Sequence, residues 1–241
     1  DVVPLIAVDP DDVGRVALKI SGNMARLVGP QYGEAVVVTR AGAGIYFKDC
    51  NDCGVERLTI TGGVHDRPFG PHDGAIVVRR SSVRVSNCVI RQNIGDVELI
   101  NTRNGGISGI VGWDGAVLTV EYNEIVNNSW HGVVLCLDAS AVIMNNLIDG
   151  EDRWSQEADG LDCSGIIVDC RARATIERNY LRGYPGGITV AREADSVVRS
   201  NIVETMSDWG IAYIGADWAP SRAIITKNVV YDCASGIVIE R

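Results

Sequence analysis

Apolar residues in this chain recur in short alternating runs, and the runs themselves repeat. Residues 165–183 show the unit plainly: Gly165-Ile166-Ile167-Val168, a polar corner, a second alternating run, Asn179 and a third apolar pair. Further copies open at Gly44, Gly74, Gly109, Gly132, Gly187 and Gly210, and a partial one, Gly236-Ile237-Val238-Ile239, stands at the C-terminal end. The shortest spacings, Gly165 to Gly187 and Gly187 to Gly210, hold three short strands and three turns. Alternation within each run predicts one inward and one outward set of side chains. Such a unit cannot bury its apolar face alone and must stack on its neighbours. The prediction is an all-β solenoid of about eight to nine coils with three short strands per coil, and at ~4.8 Å between stacked strands it forms a rod roughly 40 Å long.

Asn87, Asn123, Asn146, Asn179, Asn201 and Asn228 take the same place in successive copies, just before the third apolar pair. Asparagine tolerates a left-handed backbone and bonds to nearby main chain, which suits a tight corner. Stacked coil on coil, these side chains would form an asparagine ladder; Arg57 holds that place in the first full copy, so the ladder starts one coil later. Over residues 24–241 these Gly-Ile-x-Val and Asn positions resemble the right-handed parallel β-helix superfamily, the pectate-lyase-like fold of many polysaccharide lyases and epimerases. The resemblance implies one single-stranded right-handed β-helix domain over 1–241, with residues 1–43 as irregular early coils and the C-terminal coil uncapped. That bare end suggests a fragment or a covering partner.

Composition narrows the class. The 241 residues carry a formal net charge of −9, few aromatics and many glycines. This acidity argues against nucleic acid, which calls for a basic stripe with stacking aromatics. No apolar run is long enough to span a bilayer, and no signal peptide is present. The expected location is secreted, periplasmic or cell-surface, any leader having been removed. Seven cysteines are an odd number, and the lone Cys50-x-x-Cys53 has no second pair to complete a zinc site. Cys88, Cys136, Cys170 and Cys233 read as small apolar fillers of narrow interior columns. One disulfide, Cys50–Cys53 or Cys163–Cys170, stays open for a secreted chain.

Loop length carries the functional signal, because insertions into a repeat gather on one face, often the binding face. Three connections are long: 62–73, 94–108 and 151–164. In the resembled family this turn borders a groove along the first sheet. The 62–73 loop holds His65-Asp66 and His72-Asp73, and a histidine beside carboxylates suits proton transfer near neutral pH or metal ligation. Phe69-Gly70-Pro71-His72-Asp73 is similar in part to the Asp-Pro-His-Asp/Glu signature of mannuronan epimerases. Gly70 stands where that family has its first Asp, and Phe69 where it has Tyr. The Asp-Gly before the strand is also similar to a calcium-binding position of pectate lyases. A solvated loop whose aspartates make turns is the plain alternative.

Past the first strand, Lys48, Arg79 and Arg80 fall at similar places in adjacent coils, and a cation there would neutralise a sugar carboxylate. The 151–164 loop is acidic, and oxygen ligands such as Asp159 and Asp162, with Asp66 in the earlier loop, suit calcium, the only cofactor expected. Trp130, Tyr184 and Trp209 precede the glycines of their coils, where aromatic faces stack sugars or pack coil edges. Against catalysis, the outward places of the first strand hold Tyr46, Val111, Val134, Ile167, Thr189 and Ala212, largely apolar, so long loops or another protein, a second copy included, must cover them. Two readings follow. One is a lyase or epimerase of an acidic polysaccharide, with His72 or His65 moving the proton, Asp73 orienting it, and Arg79 with Lys48 neutralising the carboxylate. The other is a non-catalytic surface or carbohydrate-binding module.

Overall fold

In a computed structural model, residues 7–8, 15–64, 73–95, 106–150, 163–215 and 222–240 are described, residues 7–8 by backbone alone. Among the described residues the strands form three sheets of ten, eight and eight strands. Apart from the antiparallel pairing of Ala7–Val8 with Arg15–Ile20, every pairing joins parallel strands of successive coils. Among the described residues no helix is long and apolar enough to cross a membrane.

Three inward stacks hold the coils together. On the first sheet Ile45, Ile76, Ile110, Val133, Ile166, Ile188 and Ile211 pair in register, each fully buried. Val55, Val85, Val120, Ile143, Ile176 and Val198 do the same on the second sheet. On the third, the stack is Ile60, Ile90, Ile125, Ile148, Leu181 and Val203. Each such side chain removed from water contributes about 1.5–3 kcal/mol. Repetition of that small gain in every coil is what makes the solenoid stable.

The early segment is more regular than its sequence suggested. Arg15–Ile20, Arg26–Val28 and Val36–Val38 enter the three sheets in turn and build a full coil. Its alternation was obscured by charged residues on outward places, such as Arg15 and Lys19.

The coil that begins at residue 74 differs from the expected register by one residue. Gly74 pairs with Ala43 and Ser108, so Ala75, and not Gly74, stands level with Gly44 and Gly109. The same slip moves the asparagine position. Cys88 occupies it, donating its backbone N–H to Asn123 Oδ1 at 3.0 Å, while Asn87 lies one place earlier. A one-residue slip exchanges inward and outward side chains, which is why Val77 faces out beside Tyr46.

From Asn123 onward the side-chain amides bond coil to coil. Asn123 donates to Asn146 at 3.0 Å, Asn146 to Asn179 at 2.9 Å, Asn179 to Asn201 at 3.0 Å and Asn201 to Asn228 at 3.0 Å. The left-handed backbone belongs to the residue before each asparagine: Tyr122, Asn145, Arg178, Ser200 and Lys227 all have φ of 54–56°. Such a conformation costs about 1–3 kcal/mol in a residue other than glycine. The buried amide bonds that follow offset it. A second, shorter pair, Asn93 to Asn128 at 2.8 Å, stands at the next corner and was not foreseen.

Candidate functional site: the outer face of the first sheet

The first sheet turns one column of side chains outward at mid-strand: Tyr46, Val77, Val111, Val134, Ile167, Thr189 and Ala212. Tyr46, Val77, Val111 and Ala212 are fully buried within the single chain, so no partner is needed to remove them from water. Polar chemistry is left to the two edges of this face.

The edge toward the second sheet is basic. Lys48 pairs with Arg79, and Arg79 with Trp113, on three successive coils. The Arg79 guanidinium lies 4.4 Å from the centre of the Trp113 ring and donates to Asp114 Oδ2 at 2.7 Å. Arg80 spans Asp49 and Asp114, with hydrogen bonds of 2.6 Å to each. Arg79, with Arg80 assisting, holds the Asp114 carboxyl below the usual carboxylate range, and Arg80 does the same to Asp49. Lys19, one coil further back, lies 6.0 Å from the Tyr46 ring. Sequence reading singled out Lys48, Arg79 and Arg80 but not Lys19, Trp113 or the pairing with Asp49 and Asp114. The signal was present in the repeat: Asp49 and Asp114 occupy the corner position of Arg80 in the coils on either side.

The edge toward the third sheet is aromatic and polar. Trp130 is half-buried, its ring edge-on to His131 with centroids 5.3 Å apart. His131 is 6% exposed and accepts the Ser164 backbone N–H at Nδ1, 3.0 Å away. Trp209 donates its indole N–H to Thr189 Oγ1 at 3.0 Å, and Thr189 shares a 2.8 Å hydrogen bond with Ser164. Tyr184 does not join this edge. It is 1% exposed and packed in the main core, where burial pushes its hydroxyl pKa up. Asp73 is buried at the start of the strand Gly74–Arg79, while Arg79 ends it. At about 3.3 Å per residue the two lie roughly 20 Å apart, so Asp73 and Arg79 do not form one constellation.

His65, Asp66, His72, Asp159 and Asp162 lie outside the described residues. Among the described residues no group of three or more His, Cys, Asp or Glu side chains is arranged to hold a metal ion. Asp49, Asp114, Asp138, Asp149 and Asp169 each engage an arginine instead. Hollows of about 330 and 380 Å³ lie over the second sheet. There Arg26 bonds Asp52 and Arg84 bonds Glu121.

The match to a family model settles the fold. The description "Right handed beta helix region" fits residues 34–151 and 108–241. This chain belongs to the right-handed β-helix family. No curated protein matches it. Among solved structures, an alginate lyase from Paenibacillus sp. str. FPU-7 is similar to this β-helix at 12% identity and a TM-score of 0.46, over 95% of this chain and 89% of that one. Pectate lyase Pel9A is similar at 15% identity and a TM-score of 0.34, over 82% of this β-helix and 55% of its own length.

His131 gives this β-helix a pH dependence of known sign. Burial lowers its pKa from 6.5 to about 4. The folded form therefore favours the neutral ring, whose Nδ1 is needed as an acceptor. Its contribution is complete above the unfolded value of about 6.5 and is lost as pH falls toward 4, a change of about 3 kcal/mol. Urea unfolding between pH 7 and 4 is expected to show this loss in the native chain. His131→Asn, which keeps an acceptor and removes the titration, is expected to flatten the profile, and an unchanged slope would contradict the assignment.

Proposed function

We propose that this β-helix is a carbohydrate-active protein that takes an acidic, uronate-containing polysaccharide along the basic edge of the outer face of its first sheet. The observation that carries the reading is the placement of Lys48 and Arg79 in register on adjacent coils, beside Trp113 and with Lys19 nearby, in a chain of net charge −9. Cations gathered on one face of an acidic protein attract an anionic ligand, and the coil spacing of ~4.8 Å is comparable with one pyranose residue. Trp130 and Trp209, on the opposite edge, offer ring faces to sugar.

The reaction that fits is proton abstraction next to a uronate carboxylate, by a lyase or an epimerase. A cation at the carboxylate stabilises the charge that develops as the proton leaves. Lys48 and Arg79 take that role, and Arg80 positions the Asp114 carboxylate between the two arginines. His72 and His65 are the sequence's proton-transfer candidates; Asp73, next to His72 in the chain, stands roughly 20 Å from Arg79 at the far end of its strand, so this scheme pairs neither Asp73 nor His72 with the cations and assigns no base beside them. Calcium at Asp66, Asp159 or Asp162 enters no step. A secreted or surface location follows from a polysaccharide substrate.

Binding to acidic and neutral oligosaccharides of matched length tests the reading. Arg79→Gln and Lys48→Gln are expected to weaken acidic binding about tenfold each and to reduce its salt dependence. Asp114→Asn releases Arg79 from a competing carboxylate, so it is expected to tighten acidic binding about threefold. Equal affinity for neutral and acidic oligosaccharides would overturn the proposal.

One observation favours a second reading, a non-catalytic binding module. His131, the histidine among the described residues, is buried and held by Ser164, and Arg79 and Arg80 already have carboxylate partners. Tight binding of acidic oligosaccharides with no chemical change in them would select this reading.

A further inference from the structure

We infer that Cys50 and Cys53 form a covalent modification site: under a disulfide oxidant they close into an intra-corner disulfide that pins the second coil. The corner joins the strands Ala43–Lys48 and Cys53–Glu56. Asp49 and Asp52, each with φ of 53°, turn the chain so that Cys50, between them, and Cys53, just after, face inward. Cys50 is fully buried and Cys53 is 2% exposed.

The following coils turn the same two places inward, with one residue fewer between them, and fill them with apolar or small residues. Ser81, Ala116, Ala139, Ala172 and Ala194 follow Cys50, as the ladder bonds from each residue's carbonyl show. Val83, Leu118, Ala141, Ala174 and Ser196 follow Cys53 in register. The fold thus sets two side chains against each other inside one narrow corner, and in a single coil both are thiols.

Each thiol is held by its surroundings. Cys50 Sγ donates to Ser81 Oγ at 3.5 Å, and Cys53 Sγ to the Gly22 carbonyl at 3.3 Å. The Cys53 thiol is itself a hydrogen-bonding neighbour of Cys50, and burial pushes the Cys50 thiol pKa up. Reaction therefore waits for the coil to open or to fold. Oxidation removes only weak S–H donors, so little is lost when they go.

The chemistry is thiol–disulfide exchange with a small disulfide such as oxidised glutathione. One cysteine thiolate attacks a sulfur of the oxidant and expels a thiolate. The second cysteine thiolate attacks the protein sulfur of the mixed disulfide and expels the other. Two electrons pass to the oxidant, and the two cysteine protons end on the two released thiols.

The full chain, refolded with oxidised glutathione and then alkylated under denaturing conditions, tests this. Of its seven cysteines, the expected outcome is five alkylated. The tryptic fragment 49–57, which contains both cysteines, should be unalkylated and lighter by two hydrogens than after full reduction. Dithiothreitol is expected to lower the melting temperature of the oxidised native chain and to leave that of Cys50→Ala/Cys53→Ala unchanged. Alanine already fills both columns in other coils, so that variant should fold. Alkylation of all seven, a glutathione adduct left on one thiol, or a link located elsewhere, such as Cys163–Cys170, would overturn the inference.

Discussion

Asn179→Ala is expected to destabilise the β-helix by about 3 kcal/mol, because it strips partners from buried groups on both neighbouring coils. Asn179 Oδ1 accepts the backbone N–H of Asn146 at 3.0 Å and its side-chain amide at 2.9 Å. Its own amide donates to the Ile143 carbonyl at 2.9 Å and to Asn201 Oδ1 at 3.0 Å. Asn179 is 2% exposed, so water does not replace what is lost. Asn179→Asp should cost more than alanine, since a carboxylate keeps the acceptor but faces two oxygens and carries a buried charge. Asn228→Ala, at the part-buried end of the column, should cost about 1 kcal/mol. Urea midpoints at constant slope measure all three. Equal, small losses at Asn179 and Asn228 would mean that the amides follow the stacking and do not support it.

Gly150→Ala is expected to cost a similar amount, about 3 kcal/mol, for a steric reason. A Cβ there would stand 2.1 Å from the Gly183 carbonyl oxygen and 2.7 Å from its carbon, both backbone atoms of the adjacent coil. Two hydrogen-bonded coils would have to part to admit it, since Gly150 N–H donates to the Arg182 carbonyl at 3.0 Å. Gly22→Ala is the matched control, with nothing within 4 Å of its added carbon. Its midpoint should stay within about 0.5 kcal/mol of the native chain. Like losses at the two positions would rule out close coil approach as the cause.

The architecture was legible because its rule is local and repeats: Gly-Ile-x-Val and the following Asn announce three strands and a corner each time. Errors came where identity and register part company. Gly74 and Asn87 match the pattern by residue type, yet Ala75 and Cys88 fill the positions. Glycine and asparagine mark a place only if the ladder on either side agrees, and a single sequence shows no ladder. Likewise, the ladder asparagine was expected to supply the left-handed turn, whereas the residue before it does so, Tyr122, Arg178, Ser200 or Lys227 and in one coil a second asparagine, Asn145, while the ladder asparagine bonds the coils.

The candidate site was legible in part. Lys48 and Arg79 were read as neighbours because they share a place in consecutive repeats, and they pair in register. The carboxylate that Arg79 and Arg80 share, Asp114 in the next coil, was not read as their partner. Tyr184 shared its place before a glycine with Trp130 and Trp209, yet it turns into the core while they remain half-buried at the edge. Side-chain direction at a corner depends on the local turn, which period-two alternation does not reach.

The measurement that tests the functional account most directly is proton NMR of a panel of uronate polysaccharides incubated with the protein, with calcium and with chelator. The account predicts new alkene signals, the mark of a lyase, or altered anomeric ratios without chain shortening, the mark of an epimerase. It also predicts that Lys48→Gln/Arg79→Gln abolishes the change. A panel left unaltered at high protein concentration would contradict it.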